Sequence, residues 1–193
     1  EPRPTNNYAA TKLAQEHLLA AWTAAHDAKF SVLRLQNVYG PGQSLTNPYT
    51  GVVPFFARLA REQRPSEVFE DGQIVRDLVY IDDVIDALFA AIQNPATGPR
   101  CLDIGSGTAT TILELAERVA AFFDAPKPVV VPKFRDGDIR AASCDIEAAR
   151  TELQWSPKWA LDDGLTTLIT WIVEQLESSS APIDQPAAQV SGR

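Results

Sequence analysis

Tyr8 and Lys12 stand four residues apart in the run Asn6-Asn7-Tyr8-Ala9-Ala10-Thr11-Lys12. On a helix that spacing puts both side chains on one face. An ammonium there stabilises a phenolate and makes the tyrosine a usable proton acceptor. Alone the pair is a weak signal, because composition produces one about every few hundred residues. An exposed helix start with a solvated lysine reads equally well from these residues.

The pair needs a helix, and residues 6–28 supply one: an alanine-rich run with Asn6 or Asn7 as N-cap. Its small residues would let another helix approach closely. A strand follows over 30–35, then a loop over 36–50 carrying Gly40-Pro41-Gly42 and Asn47-Pro48. A helix over 53–63 precedes two strands, 67–69 and 74–80, joined by the turn Asp71-Gly72. Asp82 or Asp83 caps a helix with an apolar stripe of Ile85, Leu88, Phe89 and Ile92. A strand at 100–104 leads to a capping box, Thr111-Ile112-Leu113-Glu114, opening a helix to about 124. Val129-Val130-Val131 reads as a buried strand, and Asp145 caps a short helix to Leu153. Leu165, Leu168, Ile169, Ile172 and Leu176 mark the last helix, and residues 178–193 read as a disordered tail. Helices and strands interleave, so the class is α/β.

The net charge of −8 over 193 residues argues against nonspecific binding to nucleic acid or anionic membranes. No apolar run approaches a membrane span and no signal-peptide pattern opens the chain, so the expected location is cytoplasmic. Two histidines on one helix and no Cys-x-x-Cys leave no metal constellation. Cys101 and Cys144 read as two buried free thiols. The sequence has no methionine, even at position 1, so Glu1 reads as something other than a translation start.

Further motifs follow in order: Arg34-Leu35-Gln36-Asn37-Val38-Tyr39-Gly40-Pro41-Gly42, Asn47-Pro48-Tyr49-Thr50-Gly51-Val52-Val53-Pro54, and Phe69-Glu70-Asp71-Gly72. Then come Val75-Arg76-Asp77-Leu78-Val79-Tyr80-Ile81-Asp82-Asp83-Val84, Cys101-Leu102-Asp103-Ile104-Gly105-Ser106-Gly107 and Arg135-Asp136-Gly137-Asp138. With the Tyr-x-x-x-Lys pair, this series resembles the C-terminal half of the extended short-chain dehydrogenase/reductases, the NAD-dependent epimerase/dehydratase family. The resemblance runs from Tyr8 to about Trp171. It implies an extended Rossmann-type fold from which the N-terminal cofactor-binding half is absent, with residues 1–177 carrying the substrate-binding lobe.

The resemblance also implies roles. Tyr8 would be the acid/base, and Lys12 would bind the ribose of NAD and lower the tyrosine pKa. Asn37 and Val38 would lie where cofactor and substrate meet, Asn37 donating to the sugar nucleotide, and Val52 would contact the substrate. Arg76 and Arg135 would clamp the diphosphate, since guanidinium forks match phosphate oxygens. Asp138 would accept from the nucleoside ribose, and Phe69 would pack on the base. From their residue types alone, both arginines could be surface ion-pair partners and Phe69 could be core. Asp77, Asp82 and Asp83 read as structural. The resemblance implies a nucleotide-diphosphate sugar as partner and a homodimer through the Tyr8/Lys12 helix.

The loop 42–52 looks most like sugar-nucleotide 4-epimerases, with 4,6-dehydratases and decarboxylases of the same family as alternatives. A non-catalytic nucleotide-sugar-binding or dimerisation module is the alternative from another class. A methyltransferase glycine loop at 102–108 fails because position 109 is alanine, and G-x-G-x-x-G fails because position 110 is threonine. Without the family's glycine-rich pyrophosphate loop, the chain alone is expected to hold NAD weakly and not to turn over.

Overall fold

The computed structural model describes residues 2–45, 51–134 and 139–180. Strand β4 (Val75–Tyr80) is their hub. It pairs in parallel with β2 (Asn37–Tyr39) and with β8 (Ala141–Ala142), and antiparallel with β6 (Ala109–Thr111). Val38 stands opposite Val79, and Arg76 opposite both Thr110 and Ala142. Two further parallel pairs join β1 (Ser31–Leu35) to β5 (Arg100–Ile104) and β3 (Glu67–Phe69) to β7 (Val129–Val131).

The two-residue period of β4 divides the interior. Leu78 and Tyr80 join a core made with α2 (Val52–Arg61), α4 (Ile112–Phe122) and α6 (Leu161–Ser180), where Phe56, Leu115, Val119 and Leu168 meet. Val79 faces the other way. It packs with Val84 and Ala87 of α3 (Ile81–Gln93), Leu102 and Ile104 of β5, and Leu153 of α5 (Glu147–Leu153). Helix α6 crosses β2 and β4 at Gly164, where an added Cβ would lie 2.8 Å from Tyr80 Cδ2 and would also meet the Tyr39 hydroxyl. Only glycine fits that crossing.

Helix α1 (Asn7–Ala25) is capped by Asn6, whose Oδ1 accepts from the Ala9 N–H at 2.9 Å. It buries only Thr23. A fork from Arg34 on β1 ties it down: Nε donates to Glu16 Oε1 at 2.9 Å and Nη2 to Oε2 at 2.6 Å. The capping box of Thr111 and Glu114 forms at α4. At α5, Asp145 accepts from the Glu147 N–H at 2.9 Å.

Several expectations change. The stretch expected as a loop over 36–50 contains β2, because Asn37–Tyr39 finds parallel partners in Leu78–Tyr80. Strands β6 and β8 were not legible at three and two residues. Val129 and Val130 are exposed, since β7 is one of only two strands in its sheet. Helix α3 has Tyr80 as its cap residue, with no side-chain cap bond. Asp83 turns inward instead and accepts from the Lys158 and Trp159 N–H groups at 2.8 and 3.1 Å. The α3 stripe of Ile85, Leu88, Phe89 and Ile92 faces outward and is exposed in this chain. Helix α6 continues past Glu177 to Ser180, and residues 181–193 lie outside the described residues.

Both cysteines are free, but Cys101 is exposed and Cys144 half-buried. Leu102 and Ile104 take the inward positions of β5, so the alternation turns Cys101 outward. No helix among the described residues is long and apolar enough to cross a membrane.

Candidate functional site

A cavity of about 900 Å³ opens among α2, β3, β4 and β7. Asn37, Val52, Phe69 and Arg76 all line it. They come from β2, the first turn of α2, β3 and β4, four segments that the β2–β4 pairing and the packing of α2 bring together. Alternation explains the neighbours. Asn37 looks into the cavity, while Val38, one residue on, packs on the Val79 side of the sheet. Val38 therefore contributes no side chain to the cavity wall. Arg135 and Asp138 lie outside the described residues.

Arg76 is held in place by backbone. Its Nη1 donates to Val75 O at 2.8 Å and to Ile139 O at 2.7 Å. The cavity also takes Phe55, Arg58 and Leu59 from α2, then Arg64 and, from β3, Glu67. None of these five was picked from the sequence. The available signals were helical spacing from Val52 and the two-residue step from Glu67 to Phe69. Arg58 lies over the Phe55 ring with its guanidinium carbon 5.8 Å from the centroid. Arg64 pairs with Glu62 at 3.0 Å and Glu67 with Lys133 at 2.6 Å. Three guanidinium groups against one carboxylate favour an anion inside an otherwise acidic chain. Apolar walls from Ile74, Ile112 and Val131 suit a flat organic group beside it.

Tyr8 and Lys12 share one face of α1, as their spacing requires, with the lysine Nζ 5.7 Å from the tyrosine ring centroid. Lys12 Nζ also donates to Gln15 Oε1 at 3.5 Å. Tyr8 is 73% exposed, and neither side chain lines the cavity. The two present a phenol and an ammonium side by side toward open space. That donor set fits ribose hydroxyls. Among the described residues there is no cluster of His, Cys, Asp or Glu able to hold a metal ion.

Asp77, beside Arg76 on β4, is fully buried. Its Oδ1 accepts from the Ser106 N–H at 2.7 Å and the Ser106 hydroxyl at 2.8 Å, and its Oδ2 from the Gly107 N–H at 3.0 Å. The Cys144 thiol approaches Oδ2 at 3.7 Å. Burial, then the Asp77 charge, pushes the Cys144 thiol up to about 12. Asp77 and Asp83 are thus structural, as the sequence reading held.

Residues 1–105 match the model of the NAD dependent epimerase/dehydratase family. The chain belongs to that family. Its curated relatives in this family include both 4-epimerases and dehydratases. One is a dTDP-L-rhamnose 4-epimerase of Burkholderia thailandensis, 52% identical over 177 residues, which span 92% of this chain and 49% of that protein. Among solved structures, a UDP-glucose 4-epimerase of Thermotoga maritima with UDP-glucose superposes with a TM-score of 0.84 at 32% identity, over 91% of this chain and 56% of the other. The Thermus thermophilus UDP-glucose 4-epimerase in complex with NAD gives 0.79 at 29% identity, over 89% and 55%. The fold is thus the α/β fold of these epimerases. The chain spans about half the length of the curated relatives it matches.

Proposed function

We propose that the cavity is the nucleotide-sugar site of a 4-epimerase and that this chain corresponds to the C-terminal half of such an enzyme. The observation that carries the reading is the meeting of Asn37, Val52, Phe69 and Arg76 in one cavity. The 52% identity to a dTDP-L-rhamnose 4-epimerase supports a thymidine diphosphate sugar as the substrate class. Arg76 holds the diphosphate, Phe69 packs on the base, and Asn37 donates to the sugar nucleotide. Arg135 and Asp138 complete the clamp and the ribose contact.

Tyr8 is the acid/base. It takes the proton from the sugar C4 hydroxyl during oxidation and returns it when the hydroxyl is re-formed with opposite configuration. Lys12 holds a cofactor ribose hydroxyl. NAD, when bound, supplies acceptance and return of the C4 hydride, so it is not consumed. No G-x-G-x-x-G pyrophosphate cradle occurs in the 193 residues, so turnover requires that element from elsewhere. The exposed Leu18 and Trp22 of α1 support that helix as a homodimer face.

Calorimetric titration of a dTDP-sugar into the chain without NAD tests the site. Binding is expected, weakened at least about tenfold in Arg76→Ala by loss of a charge-assisted phosphate contact. A chain that binds no nucleotide sugar would contradict the assignment of the cavity.

A further inference from the structure

Arg140 lies outside the cavity wall, yet it is joined to it in two steps. Its guanidinium spans the turn between β3 and β4. Nη1 donates to Glu70 Oε2 at 2.8 Å and to Asp71 Oδ1 at 2.9 Å, and Nη2 donates to Asp71 Oδ2 at 2.6 Å. The Asp71 end is a two-point fork, and Glu70 makes it a network. That is the geometry in which an exposed ion pair has value. The turn itself is stiff: Glu70 and Gly72 both have positive φ, at 58° and 77°, and Asp71 Oδ1 also accepts from the Gln73 N–H at 3.0 Å. Asp71 is held well below the usual carboxylate range by Arg140 first and by the Gln73 N–H second.

The backbone of the same segment reaches the cavity. Arg140 O accepts from the Val75 N–H at 2.9 Å, and the ladder continues with Ala141 opposite Val75. The residue before it, Ile139, gives its carbonyl to Arg76 Nη1 at 2.7 Å. The carbonyl that accepts from the Arg76 guanidinium is thus one residue from the side chain clamped by Asp71 and Glu70.

We propose that Arg140, fastened by Asp71 and Glu70, is a positioning residue for Arg76, and that it governs affinity for the diphosphate without touching the ligand. The inference rests on the nucleotide-sugar reading of the cavity. It assigns a role to three residues that lie outside the cavity wall.

A double-mutant cycle with dTDP as the probe, read by calorimetry on the full chain, tests it. Arg140→Ala is expected to weaken dTDP binding about fivefold, in line with a networked surface pair. Arg140→Lys, which keeps charge but loses the fork, recovers part of that loss. In an Arg76→Ala background, Arg140→Ala is expected to cost nothing further, because its effect runs through the missing guanidinium. Losses that add in the double variant would overturn the proposal and leave a general structural role. So would an Arg140→Ala chain that binds dTDP like the parent. A parent chain that binds no dTDP would instead overturn the reading of the cavity itself.

Discussion

Replacing Asp77 with asparagine should be the most damaging isosteric change on β4. The aspartate is fully buried and each oxygen is committed: Oδ1 to the Ser106 N–H and hydroxyl, Oδ2 to the Gly107 N–H. An asparagine keeps one acceptor and turns the other into a donor facing a donor. If the amide oxygen takes the Oδ1 position, the Gly107 N–H loses its acceptor. If it takes the Oδ2 position, the Ser106 N–H loses its acceptor, while the Ser106 hydroxyl still reaches Thr108 O at 3.4 Å. Leaving one buried donor unpaired costs about 1–3 kcal/mol, and hydrogen bonds to a charge are worth about 1.5–3 kcal/mol. A loss of about 2–4 kcal/mol follows. With a urea slope of about 2 kcal/mol/M, the unfolding midpoint should fall by roughly 1–2 M. Trp155 is buried and reports the transition by fluorescence. A midpoint within about 0.3 M of the parent, at an unchanged slope, would refute the view that Asp77 holds the β5–β6 turn to β4.

Three smaller predictions accompany it. Gly164→Ala drives a methyl into the Tyr39 and Tyr80 rings, so overpacking should cost about 1–3 kcal/mol in a thermal melt, and an unchanged Tm would contradict the close crossing. Glu16 has a lowered pKa, caused first by its hydrogen bond from Arg34. Its contribution is therefore complete above the ordinary glutamate value of 4.5 and is lost as pH falls through the depressed folded value. Protection factors in α1, corrected for the intrinsic pH dependence of exchange, should fall on acidification in the parent but change less in Glu16→Gln; identical profiles would remove the pair's role. A thiol reagent at pH 8 should label exposed Cys101 well before Cys144, whose thiol is pushed up to about 12. Equal rates in the folded chain would contradict the Cys144–Asp77 contact.

Long periodic elements were legible because their signals are local. The Asn6 cap, the Thr111/Glu114 box and the Leu165–Ile172 stripe each lie within a turn or two of chain. Strands β2, β6 and β8 were not, because none carries an apolar run like Val129-Val130-Val131 and each forms by pairing with β4, far along the chain. The site divides the same way. Motifs in order nominated Asn37, Val52, Phe69 and Arg76, and the structure brings these four to one cavity. Arg58 and Glu67 were missed because helical spacing from Val52 and the step to Phe69 indicate a shared face without showing that the face lines a cavity. Asp83 was misassigned as a possible cap for a related reason. Its partners, Lys158 and Trp159, are more than seventy residues away.

Tyr8 and Lys12 were readable as a pair, and α1 keeps them on one face. Neither lines the cavity: they sit on a helix that buries only Thr23 and is tied to β1 by the Glu16–Arg34 fork.

The most direct measurement of the central claim is amide and side-chain NMR of the chain titrated with a dTDP-sugar in the absence of NAD. Saturable shifts at Asn37, Val52, Phe69 and the Arg76 guanidinium are expected, with little change at the exposed α3 stripe. Saturable shifts that spare those four residues, or no shifts at all, would contradict the assignment of this cavity to a nucleotide sugar.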